Sequence, residues 1–251
     1  MLSKSQISFL TSLQLKKQRK EQGLFLVEGF KSVAEFLQSD YQIETIYHTP
    51  AILSKLDKIS RNIKLEEVKP EELSKISSLN TPQDLLAVVR IPEQQKLDPK
   101  SLKTNFSIML DGIQDPGNMG TIIRTADWFG MKYLICSSDT VELYNPKVVQ
   151  ASMGSLARVK VFYTDLLPFL AENHLATYAT ALNGKSIYET NFGEEGILIL
   201  GNEGNGIRPE ILEKSAHHIT IPRFGHSESL NVAVSAGICC SEIRRKAVNF
   251  S

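Results

Sequence analysis

The chain has 251 residues, 42% of them hydrophobic, enough to bury a substantial core as one large domain or two modest ones. Its 28 basic and 28 acidic side chains cancel, so no chain-wide field announces a nucleic-acid partner and any RNA site must be a local patch. Cys136, Cys239 and Cys240 lack metal-ligand spacing and are poorly placed for a disulfide framework, and there is neither a signal-peptide core nor a bilayer-length apolar run; the expectation is a cytoplasmic protein with no membrane partner and no metal.

From the N-terminus, residues 3–20 carry apolar Ile7, Leu10 and Leu13 ahead of the densest basic run in the chain, Lys16, Lys17, Arg19 and Lys20. That run is either a phosphate-contacting RNA patch or a solvated helix end whose cations complement the C-terminal dipole. LFLVEG, IETIYHT, IKLEEV and LLAVVRI then have the pattern of strands, separated by helix-like FKSVAEFLQSD, AILSKLDKIS and PEELSKISSL; the alternation predicts a small mixed or parallel sheet covered by helices. Pro92–Asn105 loses apolar periodicity and holds two prolines among charges, so the chain is divided into a first block at 1–95, a linker at 96–105 and a second block at 106–251.

The second block opens on a buried-strand pattern, FSIMLDGI, followed by a turn, QDPGNMG, and a helix, TIIRTADWFG. YLICSS, NPKVVQASMG, RVKVFY, DLLPFLAEN, ATYATAL and GILILG continue the alternation of an α/β domain. Chemistry concentrates in three places. Asp115–Gly120 combines glycines that admit close backbone approach with Asn118, a donor and acceptor, and Arg124 follows with a fork of donors suited to phosphate. The plain alternative for Arg124 is a structural ion pair with Asp111 or Asp127. Gly201–Gly206 follows an apolar strand, where open α/β sheets build their sites, and sets Glu203 there; the same carboxylate could instead serve the dipole of a helix beginning near Pro209. This loop is not the G-x-G-x-x-G dinucleotide pattern, which disfavours a nicotinamide oxidoreductase. Finally His218–Pro222 is a short strand ended by proline, Arg223–Glu228 a polar loop, and Ser229-Leu230-Asn231 a helix opening whose side chains can cap first-turn amides. Ala233, Ala236, Gly237 and Cys240 then form a stripe small enough for another backbone to pack closely.

Taken together, DPGNMGTIIRTADWFG, LILGNEGNGI and IPRFGHSESLN resemble the three signature motifs of the SpoU/TrmH branch of the SPOUT superfamily, RNA 2′-O-ribose methyltransferases, in order and spacing, and ASMGSLARV resembles the segment between them. The first block resembles the substrate-binding domain that often precedes this catalytic domain, with a fold similar to certain ribosomal RNA-binding proteins and Phe25–Gly29 in the matching place. The resemblance implies a smaller N-terminal α/β domain followed by a parallel-sheet α/β domain tied in a trefoil knot, with S-adenosylmethionine as methyl donor. Carried over by position, it makes Asn118 and Arg124 catalytic, with Glu203, Ser229 and Asn231 as further catalytic-site positions. Gly201, Ile221 and Leu230 match cofactor-contacting positions, and Thr180 lies where another such contact falls. Arg223 departs from the family, which commonly has methionine there. The expected partners are RNA, ribosomal before transfer, and a second copy of the chain, with the third-motif helix and the first motif at a two-fold interface. A base methyltransferase of the same superfamily and a catalytically silent RNA-binding dimer are the alternatives; the presence of Asn118, Arg124, Glu203, Ser229 and Asn231 together argues against the silent form.

Overall fold

The structure, a computed structural model, describes residues 1–52, 63–93 and 96–247. It divides into two compact units, Met1–Gln94 with Glu142–Ala157, and Gln95–Val141 with Arg158–Ser251. The first is therefore not a simple N-terminal block: residues 142–157, placed in the second block on sequence grounds, belong to it.

In the first unit four strands, β1 (Leu24–Glu28), β2 (Ile43–His48), β3 (Lys64–Glu67) and β4 (Leu85–Arg90), form a mixed sheet in the order β1-β4-β2-β3. β4 runs antiparallel to both its neighbours, and β2 and β3 are parallel. Helices α1 (Lys4–Ser12), α2 (Lys16–Gln22), α3 (Phe30–Leu37) and α4 (Pro70–Ile76) accompany it. α1 starts cleanly because Ser3 and Gln6 form a capping box, and α2 stops at Gly23, whose φ of 65° only glycine adopts without strain. Leu10, Leu13, Leu24, Leu26, Leu73, Ile76, Leu86 and Val88 share one core. The helix expected at AILSKLDKIS is described only as a short 3₁₀ turn at Pro50–Ile52; the rest of that segment lies outside the described residues.

Residues 142–157 are held to this unit by aromatic packing and by shape. The Tyr144 ring lies 4.5 Å from that of Phe25, α6 (Pro146–Ala151) packs on β1, and Gly154 sits so close to α3 that a Cβ there would lie 2.7 Å from Glu35.

The second unit is a six-stranded sheet, β10-β8-β9-β5-β6-β7, parallel throughout. Its strands are β5 (Phe106–Asp111), β6 (Tyr133–Cys136), β7 (Lys160–Tyr163), β8 (Thr177–Ser186), β9 (Gly196–Gly201) and β10 (His217–Thr220). Central β5 and β9 are buried at every position, as a sheet covered on both faces requires, which is why they are nearly continuous apolar runs. Met109, Ile135, Ile197 and Ile199 pack with α7 (Leu166–Glu172) and α8 (Pro209–Glu213). α5 (Pro116–Trp128) packs against α9 (Val232–Ala247). The stretch QDPGNMG is not a free turn. Asp115 accepts from the Asn118 amide as N-cap, and Pro116 takes the first helical position, so the motif is the first turn of α5.

Candidate active site

The site lies where β5 and β9 end side by side, with Asp111 and Gly201 as register partners. Beyond β9 the chain forms a closed ring. Asn202 and Gly206 exchange backbone hydrogen bonds of 2.9 Å, and the Asn202 side-chain oxygen accepts from the amides of Gly204 and Asn205. Gly201 lies hard against this ring: a Cβ would fall 2.2 Å from the Gly206 carbonyl carbon and the Ile207 nitrogen. Its lack of a side chain is required by the chain's own path.

Three segments distant in sequence meet at Glu203. Its Oε1 accepts from Asn118 Nδ2 at 3.0 Å and from the Asp115 amide at 3.4 Å. Asn118 Oδ1 in turn accepts from Asn231 Nδ2 at 2.9 Å, while Asn231 Oδ1 takes the amides of Ala233 and Val234 at the start of α9. All three side chains thus have their orientation defined by partners, with the carboxylate at one end of the relay. Glu203 serves Asn118 and the loop before α5 rather than the start of α8.

Arg124 is exposed on α5 and has no protein partner among the described residues. The two aspartates that might have neutralised it are engaged elsewhere. Asp127 binds Arg158 through Nε at 3.0 Å and Nη2 at 2.7 Å, and Asp111 binds Arg208. An exposed guanidinium without a protein partner, on the helix that also carries Asn118, is equipped to take an external oxyanion.

The remaining expected positions are more dispersed. β10 pairs with β8 in two stretches, jumping from Ala179 to Lys185, so residues 180–184 form an excursion between them that still lies against β10, with Thr220 Oγ1 donating to the Leu182 carbonyl at 3.3 Å. Thr180 stands at the start of this excursion and donates to the Ile199 carbonyl at 3.2 Å. Ile221 is half-buried just past β10, Leu230 is half-exposed, and Ser229 is exposed with its carbonyl accepting from Ser227 Oγ. Ser229 does not join the Glu203 relay. Among the described residues the amides of Arg223–Leu230 have no protein acceptor, and a Cβ on Gly225 would meet nothing within 4 Å. Unspent amides and open space fit a cofactor held by backbone groups, as an adenine edge and an amino-acid carboxylate require.

The stripe Ala233, Ala236, Gly237 and Cys240 is not a free interface. Ala233, Ala236 and Cys240 are buried inside the unit, Cys240 Sγ lies 3.5 Å from Met131 Sδ, and only Gly237 has open space at its Cα. All three thiols are buried, which pushes their proton loss upward, that of Cys239 to about 12, and leaves them unsuited as nucleophiles. Among the described residues no group of three His, Cys, Asp or Glu side chains could hold a metal ion, and no helix is long and apolar enough to cross a membrane.

The basic run divides. Lys16, Lys17 and Lys20 are exposed, Lys17 lying 3.8 Å from Glu21. Arg19 is only 2% exposed: Nη1 donates to the carbonyls of Leu13 (3.0 Å) and Gln14 (2.8 Å), and Nε and Nη2 bind Glu142. It is an internal tie with four of its five N–H donors spent, and at 2% exposure it is out of reach of a phosphate, a correction to its expected role. Residues that sequence reasoning did not single out as site-builders are Asn202, whose Nδ2 donates to the Gly112 carbonyl at 2.7 Å, and the pair Asp111 and Arg208. An aspartate ending a buried strand was the available signal.

Comparison with known proteins divides the chain by sequence, with residues 142–157 on the side of the second unit. The model described as the SpoU rRNA Methylase family matches residues 105–241, and that described as the MRM3-like substrate binding domain matches residues 4–87. RlmP of Bacillus subtilis, a 23S rRNA guanosine 2′-O-methyltransferase, is 32% identical over 236 residues, covering 92% of this chain and 93% of its own. Of solved structures, a TrmH-family protein from Porphyromonas gingivalis is 39% identical with a TM-score of 0.87, covering 98% of this chain and 99% of its own. An rRNA methyltransferase from Sinorhizobium meliloti with S-adenosylmethionine bound is 26% identical, also at a TM-score of 0.87, covering 99% and 98%.

Proposed function

The chain belongs to the SpoU rRNA methylase family, and from that premise we propose that it methylates ribosomal RNA on a ribose 2′-hydroxyl and works as a homodimer. The observation that carries the reading is the convergence of Asn118, Glu203 and Asn231 into one hydrogen-bonded relay on the helix that also presents Arg124 unpaired. When bound, S-adenosylmethionine supplies an activated methyl group; the loop at 221–230, with Thr180 and Ile221 at its margins, is the part of this chain that would hold it. Arg124 positions the acceptor ribose through an adjacent phosphate oxygen, and its permanent charge favours the oxyanion form of the attacking hydroxyl. The relay keeps Asn118 oriented beside it, so acceptor and donor are brought together without a covalent intermediate.

The first unit, matched by a substrate-binding model, is the RNA-selecting part in this reading, with Lys16, Lys17 and Lys20 as its phosphate contacts. Dimerisation would use the outer side of α9, where Val234 is half-exposed, and the end of α5, where Trp128 is 84% exposed. Light scattering should return twice the 28.0 kDa chain mass, and Trp128, the sole tryptophan, should shift its emission to the blue on association.

The deciding experiment supplies methyl-labelled S-adenosylmethionine and ribosomal RNA, then hydrolyses the product in alkali. Ribose methylation blocks cleavage at that phosphodiester, so the label should run as an alkali-resistant dinucleotide; label in mononucleotides would mean base methylation. Arg124→Ala should lower transfer about 10²-fold or more with cofactor affinity unchanged, and near-normal transfer by it would remove Arg124 from the mechanism.

A further inference from the structure

The Glu203 loop is held at both ends by the chain segment that ends β5. At its start, Asn202 Nδ2 donates to the Gly112 carbonyl at 2.7 Å. At its end, Arg208 is clamped by Asp111, whose Oδ2 accepts from the Arg208 amide at 2.8 Å and whose Oδ1 accepts from Nε at 2.7 Å, with Nη2 at 2.6 Å. Asp111 is itself 2% exposed and rooted in the central strand of the sheet. Gly112 is fixed in turn: it adopts φ 72°, and its amide donates to buried Ser137 Oγ at 2.8 Å. The only carboxylate between the two anchors is Glu203.

We infer that Asp111 and Arg208, with Asn202, are positioning residues for methyl transfer, holding the 202–208 loop so that the Glu203 carboxylate orients Asn118 and, through it, Asn231. The inference rests on the proposed methyltransferase reading of that relay. A surface loop of glycines and asparagines would otherwise sample many conformations, and a displacement of about 1 Å at the reacting groups is enough to lower rate by about 10²-fold. The clamp is also economical in its geometry. One buried carboxylate fixes both the backbone and the side chain of a single arginine: the amide is held by Oδ2, and turning the side chain away would break the Nε and Nη2 contacts to Oδ1 together. None of the three needs to touch substrate or cofactor.

The test is a double-mutant cycle on full-length enzyme. Asp111→Asn keeps the shape but weakens the clamp; it should lower kcat for methyl transfer about tenfold or more, with KM for RNA and cofactor affinity within about twofold. Arg208→Lys, which keeps the cation but not the fork, should fall between Asp111→Asn and wild type. If the clamp acts through Glu203, Asp111→Asn should have no further effect on kcat in a Glu203→Ala background. Full additivity, or loss of thermal stability with unchanged kcat in the single variant, would assign the pair a structural role and overturn the inference. The side-chain amide resonance of Asn118 gives a reading independent of turnover: it should move in Asp111→Asn, and an unmoved resonance refutes the positioning claim even if the enzyme's product proves to be a methylated base or no transfer is seen.

Discussion

Each unit of this chain contains an arginine–carboxylate pair drawn from distant parts of the sequence, 123 residues apart in the first and 97 in the second, and the two are built in opposite senses. In the first unit Arg19 is the buried member at 2% side-chain exposure, and Glu142 retains 22%. In the second Asp111 is buried at 1% and Arg208 is 46% exposed. Arg19 spends itself on the carbonyls of Leu13 and Gln14 and on Glu142, joining the α1–α2 corner to the 142–157 segment. Asp111 spends itself on a loop that carries Glu203. Burial of the cation makes a tie within the fold; burial of the anion at a strand end lets it grip a half-exposed arginine and, with it, the loop that carries Glu203.

The comparison breaks or stands on what happens when the acid is neutralised in each pair. Glu142→Gln strands a guanidinium that cannot lose its proton and is almost wholly buried, so unfolding of the first unit should come about 3–5 kcal/mol sooner. Asp111→Asn strands a guanidinium that water already reaches, so its cost should be about 1 kcal/mol, with the loss appearing in turnover. Urea midpoints of the two variants, followed by probes in each unit, measure both. Equal midpoint shifts would show that the side on which burial falls does not matter.

Much of the second unit was legible because its strands are fully buried and therefore nearly unbroken apolar runs: FSIMLD, YLIC and GILILG stand out against their glycine-rich ends. The relay was legible only through the motif resemblance. Periodicity cannot reveal that Asn118, Glu203 and Asn231 meet across sequence separations of 85 and 113 residues. Arg19 failed for a related reason. A basic helix end looks alike in sequence whether its cations face water or a carboxylate 123 residues away. The small stripe on α9 was correctly read as a site of close packing, but sequence does not say whether the partner helix belongs to the same chain, and α5 supplies it here. Asp115-Pro116 could have been read as cap and first helical residue, yet the glycines after it carried the argument toward a turn.

A smaller effect sharpens the contrast inside the first unit itself. With Arg19 withdrawn, the basic run is reduced to Lys16, Lys17 and Lys20, and changing these three to glutamine should leave stability within about 0.5 kcal/mol because all are exposed. RNA affinity should fall across unrelated sequences together, and the slope of log affinity against log salt should flatten by about 2–3, one phosphate contact for each lysine. Filter binding across a salt series reads this directly. An unchanged slope would return the three lysines to the role of a solvated helix end and pass the RNA contact to Arg223, whose guanidinium among the described residues holds only the Ser227 carbonyl at 3.3 Å, since Arg208 is clamped and Arg244 is bound to the carbonyls of Phe129 and Gly130.

The last contrast separates a buried polar group that supports the Glu203 loop from one that does not. Ser107 and Ser137 are both buried serines of the second unit, at or beside neighbouring strands of its sheet. Ser137 Oγ accepts from the Gly112 amide at 2.8 Å and lies 3.0 Å from Thr140 Oγ1, so it fixes the residue that follows Asp111. Ser107 Oγ has no hydrogen-bond partner among the described residues. A buried hydroxyl without a partner costs desolvation and returns nothing, so Ser107→Ala should leave stability unchanged or raise it by up to about 1 kcal/mol. Ser137→Ala instead strands the Gly112 amide and should cost about 1–2 kcal/mol. It should also lower kcat, because Gly112 is the anchor that Asn202 grips. Calorimetry and turnover on the two single-atom deletions therefore test one idea: in this unit a buried polar atom at the end of β5 is kept for where it holds the loop. A stabilised Ser137→Ala, or a Ser107→Ala that loses turnover, would place the determinant of loop position somewhere other than the 111–112 corner.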